Sequence, residues 1–251
     1  MKKILKRLIP SYILKLRQDF IYKKDIKKFS KMKINEIFEE IYKKKLWSPE
    51  KEKKSHKFYS GIGSHYDEFT NIYVNKIKEF LLTLPSRPSV VDLGCGDFSI
   101  GAKIRKYCDD YIAVDIFDEL ISLNKKKYID LKVDFRTLDI TKDQLPSGDI
   151  CFIRQVLQHL SNDLIKKFLN LISGKYKYLI ITEHLPEENF FKPNLDIETG
   201  PYIRIYKNSG VVLTEDPFNL KVVDKKNICS IYPKIIKGFK GVLNTTILQL
   251  Y

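Results

Sequence analysis

The chain reads as a doubly wound α/β protein with a mostly parallel sheet and a helical extension at its N-terminus. Three observations predict this. After Pro88, short β-branched runs alternate with amphipathic stretches, the pattern of right-handed strand–helix–strand crossovers. The first of those runs leads straight into a Gly-x-Gly turn. The composition, 43% hydrophobic and 30% charged over 251 residues, is globular and long enough for one α/β domain of roughly 200 residues with an accessory segment.

The elements follow in order. Ile9, Tyr12, Ile13, Leu16 and Phe20 fall at helical spacing, and Pro10 and Ser11 suit the opening turn of that helix. Asn35 to Ser48 is helical again, with Ile37, Phe38, Ile41 and Tyr42 on one side. A lysine-rich connector leads to the tight segment Tyr59-Ser60-Gly61-Ile62-Gly63-Ser64, and a longer helix spans about Tyr66–Leu84 before Pro85. Strands are expected at Ser89–Leu93, Tyr111–Asp115, Val133–Leu138, Ile150–Arg154 and Tyr178–Thr182. The helices between them fall at Ile100–Cys108, Phe117–Lys127 and Asn162–Ile172, the last with Ser161 as N-cap. Residues 185–220 break the rhythm as a loop-rich insertion, and two strands, about Leu220–Tyr232 and Leu243–Tyr251, close the chain. The resulting division is a basic amphipathic helix over 1–34, a helical cap over 35–87, and the α/β domain over 88–251.

The net charge of +14 is unevenly placed. Residues 1–34 hold twelve Lys/Arg against two Asp, a net +10, so the remaining 217 residues carry only +4. That weakens an inference that the body grips nucleic acid. It also marks the N-terminal helix, apolar stripe and basic flanks together, as a candidate for an anionic membrane surface. The four cysteines lie 13, 43 and 78 positions apart with no C-x-x-C pair, which points to a reduced cytoplasm and no zinc site. No apolar run approaches the ~18 residues of a membrane span, and no secretory signal is read. The expectation is a cytoplasmic protein, peripheral on the inner face of the membrane.

The strongest motif is Val91-Asp92-Leu93-Gly94-Cys95-Gly96-Asp97-Phe98. A buried strand enters Gly-x-Gly and a helix follows, so the backbone turns tightly and lets a ligand approach where side chains would collide. It is not the dinucleotide fingerprint, which needs Gly at Ser99, nor a phosphate loop, since no Gly-Lys-Ser/Thr follows. Nineteen residues after Gly96 the second strand ends in Asp115, where a carboxylate can bridge ribose hydroxyls. The third ends in Leu138-Asp139-Ile140, and the fourth delivers Arg154-Gln155. Open α/β sheets bind ligands at these carboxyl ends.

With these residues the sequence resembles the class I S-adenosylmethionine-dependent methyltransferases, over about 88–251. The resemblance implies a Rossmann-like sheet of seven strands, the last antiparallel, and S-adenosylmethionine as cofactor. Carried over by position, Gly94 and Gly96 line its methionine moiety, with Asp92 on the strand leading in. Asp115 takes the ribose hydroxyls and Ile116 follows it. Asp139 and Ile140 flank the adenine, and Gln155 stands beside the sulfonium. The usual third glycine is Phe98 here, which puts the shape of that loop in question. A narrower resemblance, carried by Asn35–Trp47, Ser60-Gly61-x-Gly63-Ser64, GCGDF and Asn208-Ser209-Gly210-Val211, is to methyltransferases of bacterial capsule and O-antigen gene clusters. It implies methyl transfer, O-methylation above all, to a sugar or small phosphorylated precursor of surface polysaccharide.

Methyl transfer to a hydroxyl requires an aligned nucleophile and a destination for its proton. His159, after the fourth strand, and His184, after the fifth, are the candidate catalytic residues; capping a helix or satisfying a loop is the plainer role for each. The Ser60–Ser64 turn either folds over the cofactor, binds a substrate phosphate through backbone N–H groups, or merely bends. In the insertion, Arg204, Tyr206 and Asn208, with Asp196, are the kind of residue that holds a polyol or an anion. No carboxylate cluster for a metal is read. An RNA methyltransferase is the second hypothesis, but Arg154-Gln155-Val156-Leu157 stands where base-amine methylating enzymes carry Asn/Asp-Pro-Pro-aromatic. A non-catalytic methyltransferase-like module is the third, and the glycine loop and both acids argue against it.

Overall fold

The computed structural model describes residues 11–50, 52–55, 57–188, 190–232 and 241–251. Ile9, Pro10 and His56 lie outside the described residues, as does the side chain of Tyr12. Seven strands form one sheet in the order β3-β2-β1-β4-β5-β7-β6, where β1 is Val90–Leu93, β2 Tyr111–Asp115, β3 Asp134–Thr137, β4 Ile150–Arg154, β5 Tyr178–Leu185, β6 Asp224–Ile231 and β7 Val242–Gln249. The first five are parallel, and β7 runs against both β5 and β6. This is the Rossmann-like methyltransferase sheet, with its switch point at β1 between β2 and β4. Val90 to Leu93 are buried throughout, as a central strand covered on both faces requires.

Six helices accompany the sheet among the described residues: α1 Ser11–Phe29, α2 Ile34–Lys43, α3 Asp67–Leu81, α4 Gly101–Ile104, α5 Asp118–Lys127 and α6 Asn162–Ile172. On one face Phe69, Tyr73, Ile77 and Leu81 of α3 pack with Ile104 and Ile121 against Val90, Phe152 and Ile180. On the other, Ile37, Phe38 and Ile41 of α2 and Ile165, Phe168 and Ile172 of α6 cover Val91, Ile153 and Leu179. The α2, α3 and α6 helices each bury the stripe their spacing defines, whereas Ile13, Leu16 and Phe20 of α1 are exposed. The first turn of α3 carries Asp67 and Glu68, the charge its N-terminal dipole favours. Among the described residues no helix is long and apolar enough to cross a membrane.

Several boundaries depart from the sequence reading, each for a local reason. The α2 helix stops at Lys43 rather than Ser48, and Lys45 takes a left-handed φ of 52°. Strand β5 continues to Leu185 because β7 pairs with it from Tyr178↔Gln249 to Leu185↔Val242. Ser161 does stand at the N-cap of α6, but its hydroxyl makes no cap bond. The insertion supplies the caps instead: Thr199 Oγ1 accepts from Ser161 N–H (3.0 Å) and Asp196 Oδ1 from Asn162 N–H (2.8 Å).

The Ile100–Cys108 helix is replaced by the single turn of α4 and a 3₁₀ turn over Arg105–Tyr107. Phe98 lies beside it. It adopts a left-handed φ of 60° without being glycine, at a cost of about 1–2 kcal/mol. In return its ring is fully buried, edge-on to Tyr111, Tyr128 and Phe135 at 4.9–5.4 Å. Burying such a ring contributes roughly 1.5–3 kcal/mol, before any aromatic pairing, so packing wins over backbone strain. Gly101 makes room for it: a Cβ there would sit 2.2 Å from the Phe98 ring. Gly101→Ala should therefore destabilise the fold by about 1–3 kcal/mol through overpacking. Thermal unfolding would register this as a Tm lowered by roughly 2–4 °C per kcal/mol, and an unchanged Tm would contradict the packing described.

Candidate active site

The carboxyl ends of β1, β2, β3, β4 and β5 open into a cleft of about 530 Å³, well within the size of small-molecule sites. Asp92, Gly94, Gly96, Asp115, Ile116, Asp139, Ile140, Gln155, His159, His184 and Tyr206 all line it; Arg204 and Asn208 do not. Over the cleft sit α2 and its following turn, through Phe38, Tyr42 and Trp47, and the strap Ser60–Ser64.

The glycine loop is held by its neighbours rather than by its own sequence. The Gly96 N–H donates to Asp115 Oδ2 (3.0 Å), the Gly96 carbonyl accepts from Asn124 Nδ2 (2.7 Å), and the Asp97 N–H donates to Ser60 Oγ (2.7 Å). Gly94 and Gly96 take φ of 81° and 57°. A Cβ at Gly94 would meet a Val156 methyl at 2.4 Å, and one at Gly96 would meet Ser60 Oγ at 2.4 Å. Both positions need glycine for conformation and for space.

Asp115 also accepts from the Phe117 N–H (3.2 Å). Burial pushes its carboxyl up to about 6, against the pull of these amides. Deeper in the cleft, burial raises Asp92 to about 7, while the Tyr111 hydroxyl (3.0 Å) and the charge of Arg154 oppose it. Asp139 spends Oδ1 on the Thr141 N–H and hydroxyl (2.9 and 2.7 Å). Its Oδ2 is buried and accepts no hydrogen bond, with only the Lys142 ammonium 3.5 Å away. A buried acceptor in this state is costly without a donor, so it marks a place for one on a ligand.

The strap is drawn onto the site by contacts that sequence spacing could not reveal. Arg154 donates to the Ser64 hydroxyl (3.1 Å) and the Gly63 carbonyl, with its guanidinium 4.9 Å from the Tyr73 ring. Asp97 pairs with His65 Nε2 at 2.6 Å, and that pairing holds its carboxyl below the usual range in spite of burial. Gln155 stands at the end of β4 with φ of 57°. Its carboxamide lies so close to Gly63 that a Cβ there would be 2.1 Å from Oε1. The strap therefore folds over the glycine loop.

At the other end of the cleft, His159 is 7% exposed and its ring lies 4.7 Å from Trp47. Nδ1 lies 3.2 Å from the Tyr202 carbonyl, which assigns the proton to Nδ1 and leaves Nε2 as acceptor, 3.3 Å from the Gln158 amide. Burial lowers its pKa to about 4. His184, also lowered to about 4 by burial, lies on β5 against Gly241, where a Cβ would be 2.7 Å from Nε2.

Two substrate candidates are placed elsewhere. Arg204 is buried, and its donors go to the carbonyls of Leu195, Leu157, Gln158 and Leu160 and to Asn162 Oδ1; it braces the protein and does not face the cleft. Asn208 takes a left-handed backbone after the 204–207 turn, and its amide donates to Glu188 (3.1 Å). Asp196 caps α6, as described. The sequence reading missed Glu183, which accepts from the Leu157 and Gln158 N–H groups (3.1 and 2.9 Å). A carboxylate inside an otherwise apolar strand was the available clue. Among the described residues, no group of three or more His, Cys, Asp or Glu is placed to hold a metal ion.

Residues 91–173, from β1 to the end of α6, match the model of a family described as a methyltransferase domain. The fold is similar to that of the bifunctional kinase-methyltransferase WbdD (TM-score 0.52, 13% identity, 75% of this chain and 40% of that one). It is also similar to magnesium protoporphyrin IX methyltransferase from Synechocystis PCC 6803 with bound S-adenosylmethionine (0.55, 12%, 87% and 98%). A third likeness is to the N-methyltransferase NodS from Bradyrhizobium japonicum WM9 with S-adenosylhomocysteine (0.54, 10%, 75% and 91%). At these identities the likeness is one of fold, and the chain spans about 40% of the length of WbdD. No curated protein sequence matches the chain.

The residues at the carboxyl edge of the sheet fit S-adenosylmethionine, the cofactor that the matched family model and the neighbouring folds point to. The side-chain-free glycine loop, the Asp115 carboxylate and the orphaned Asp139 Oδ2 are the groups an amino-acid moiety, a ribose and an exocyclic amine require. Asp115→Ala should weaken cofactor binding about 10–100-fold by removing charge-assisted hydrogen bonds worth roughly 1.5–3 kcal/mol. On the expectation that the charged form accepts the ribose hydroxyls, wild-type affinity should fall as pH drops through about 6, by up to ~10-fold per unit, while Asp115→Asn should show no such dependence. Calorimetry across pH checks both; equal affinities and parallel profiles would remove Asp115 from the site.

Proposed function

We propose that this chain transfers a methyl group from S-adenosylmethionine to a hydroxyl of a sugar, or of a small phosphorylated precursor, in the making of bacterial surface polysaccharide. The observation that carries the reading is the two-ended cleft. One end offers the glycine loop with Asp115 and Asp139; the other offers a neutral histidine among Trp47, Tyr202 and Tyr206. Flat aromatic faces suit the C–H faces of a sugar ring, and they agree with the short strings that resemble capsule and O-antigen methyltransferases.

Bound S-adenosylmethionine supplies an electrophilic methyl group on a sulfonium. Gly94, Gly96, Asp115 and Asp139 would hold it, and the strap would exclude water above it. On binding, the acceptor hydroxyl would displace the Gln158 amide (3.3 Å) from the single lone pair of His159 Nε2 and donate to it, orienting an oxygen lone pair toward the methyl. With a pKa of about 4, His159 is too weak a base to ionise a hydroxyl beforehand. It would not need to: with S-adenosylhomocysteine as the leaving group, the proton that the acceptor hydroxyl loses on methylation would pass to Nε2, or through it to water. His184, deeper on β5, would shape the same end of the cleft.

The reading places the enzyme in the cytoplasm, peripheral on the inner face of the membrane through the N-terminal segment, of which α1 is the described part. One side of α1 seats on the body: the Tyr22 ring meets Tyr202 at 4.8 Å, Asp25 accepts from the Tyr202 hydroxyl (2.6 Å), and Phe29 is buried. The outward side presents Leu16 and Phe20, 63% and 70% exposed, with Arg17, Lys23, Lys24 and Lys27. Apolar residues flanked by cations suit an anionic bilayer, where both terms add and salt weakens one of them.

Three experiments test these statements. With labelled S-adenosylmethionine, transfer is expected to nucleotide sugars, oligosaccharides or phosphorylated small molecules and not to RNA; labelling of RNA alone would overturn the acceptor class. On the acceptor found, His159→Ala should lower turnover about 10²–10⁴-fold with cofactor affinity held, and a loss below about tenfold would leave His159 outside the chemistry. Anionic liposomes should sediment the protein at low salt but not at high salt, and Leu16→Asp with Phe20→Asp should abolish sedimentation. Equal behaviour of wild type and variant would refute the membrane contact.

A further inference from the structure

We propose that Glu183 and Arg204 are positioning residues that fix the place of His159 in the cleft by gripping the turn Val156–Leu160 from both sides. The inference rests on the reading of His159 as the group that meets the acceptor.

The turn carries His159 on a single 3₁₀ turn, Leu157–His159, too short to hold its own polar groups. Its N–H groups at Leu157 and Gln158 go to the two oxygens of Glu183 on β5 (3.1 and 2.9 Å). Its carbonyls at Leu157, Gln158 and Leu160 accept from Arg204 (3.1, 3.3 and 2.7 Å). The rest of the guanidinium reaches Asn162 Oδ1 and the Leu195 carbonyl (2.8 and 3.0 Å), tying the insertion to the start of α6. The Gln158 side chain completes the grip, its Oε1 facing the His184 N–H at 3.3 Å. Both ionisable groups are almost wholly buried, Glu183 at 2% and Arg204 at 1% exposure.

Burying such a pair is an expensive way to stabilise a fold, since well-packed apolar residues of similar volume often do as well. What a carboxylate and a five-donor fork supply, and apolar residues do not, is a fixed orientation for a stretch of backbone. The stretch they fix is the one that puts His159 against Trp47 and the Tyr202 carbonyl. Arg204, first read as a substrate contact, thus acts on the acceptor end of the cleft from behind it.

Trp47 gives a readout that needs no acceptor. It is the single tryptophan of the chain, 4.7 Å from the His159 ring, and a protonated imidazole quenches indole emission. The charged and titratable groups around His159 are Arg204 and His184, with Glu183 behind the turn, its carboxyl raised by burial to about 8. In the wild type, burial keeps His159 neutral to about 4, so Trp47 emission should be flat between pH 8 and 5. Glu183→Gln and Arg204→Lys should loosen the turn, admit water to the ring, and introduce quenching with a midpoint about 1–2 units higher, toward the ordinary histidine range. Replacing a carboxylic group at Glu183 by an amide cannot by itself raise the midpoint, whichever its charge, so a rise reports displacement. His159→Gln in the same background should abolish the step.

S-adenosylhomocysteine affinity, measured by calorimetry on the same samples, should stay within about threefold, because Asp115 and Asp139 lie on other strands. Flat emission in folded Glu183→Gln, or a midpoint rise that survives His159→Gln, would overturn the proposal. Should Arg204→Lys fail to fold, Glu183→Gln keeps the side chain's shape and carries the test alone. Failure of the wild type to bind S-adenosylhomocysteine would instead sink the cofactor reading and leave the fluorescence result standing.

Discussion

The Gly96 amide donates to a carboxylate that is itself almost entirely buried, and much of the cleft follows from that contact. Asp115 ends β2 and Gly96 follows β1, so the bond fixes the register of the glycine loop against the neighbouring strand. Burial raises the Asp115 carboxyl to about 6, which means the site holds a charge it has not fully solvated. The amides of Gly96 and Phe117 offset part of that cost, and ligand hydroxyls would offset more. The same loop then dictates its surroundings. Because Gly96 has no side chain, Ser60 can approach it and cap the Asp97 amide, which brings the strap over the cleft.

The two ends of the cleft are built on different principles. The cofactor end uses strand termini and backbone amides, positions that a parallel sheet supplies by its topology. The acceptor end is assembled from sequence-distant pieces: the turn after β4, the end of β5, the insertion and α2. There the precision comes from buried polar side chains, with Glu183 and Arg204 bracketing the turn and Trp47 and Tyr202 flanking the imidazole. The Trp47 indole in turn donates to the Pro201 carbonyl (3.2 Å), which ties the insertion to the turn that follows α2. A site of this kind can be specific without a single exposed charge aimed at its substrate.

The glycine loop, the acids at the ends of β2 and β3, and the alternation that yields the sheet were legible because each depends on local spacing and strand periodicity. The strap's role was visible only as a choice among three, since the contacts that decide it, from Arg154, Asp97 and Gln155, join residues 30 to 90 positions apart. Arg204 was misplaced for a related reason. A guanidinium in a polar loop looks like an anion site, and nothing nearby in sequence reveals that three carbonyls 44 to 47 residues earlier await it. Asp196, of the kind that holds a polyol or an anion, instead caps α6. Phe98, at the place of a third glycine, takes the glycine-like conformation itself because its ring has a pocket to fill, and the helix that starts at Gly101 beside it is a single turn.

The account stands on one claim, that the glycine loop, Asp115 and the strap form a single ligand-organised unit at the carboxyl edge of the sheet. Hydrogen exchange of the intact chain with and without S-adenosylhomocysteine measures this directly. The expected result is slower exchange at the amides of Gly96, Asp97 and the Ser60–Ser64 strap together, with β6 and β7 unchanged. Exchange that is unaltered at these amides, or slowed equally across the whole protein, would contradict it.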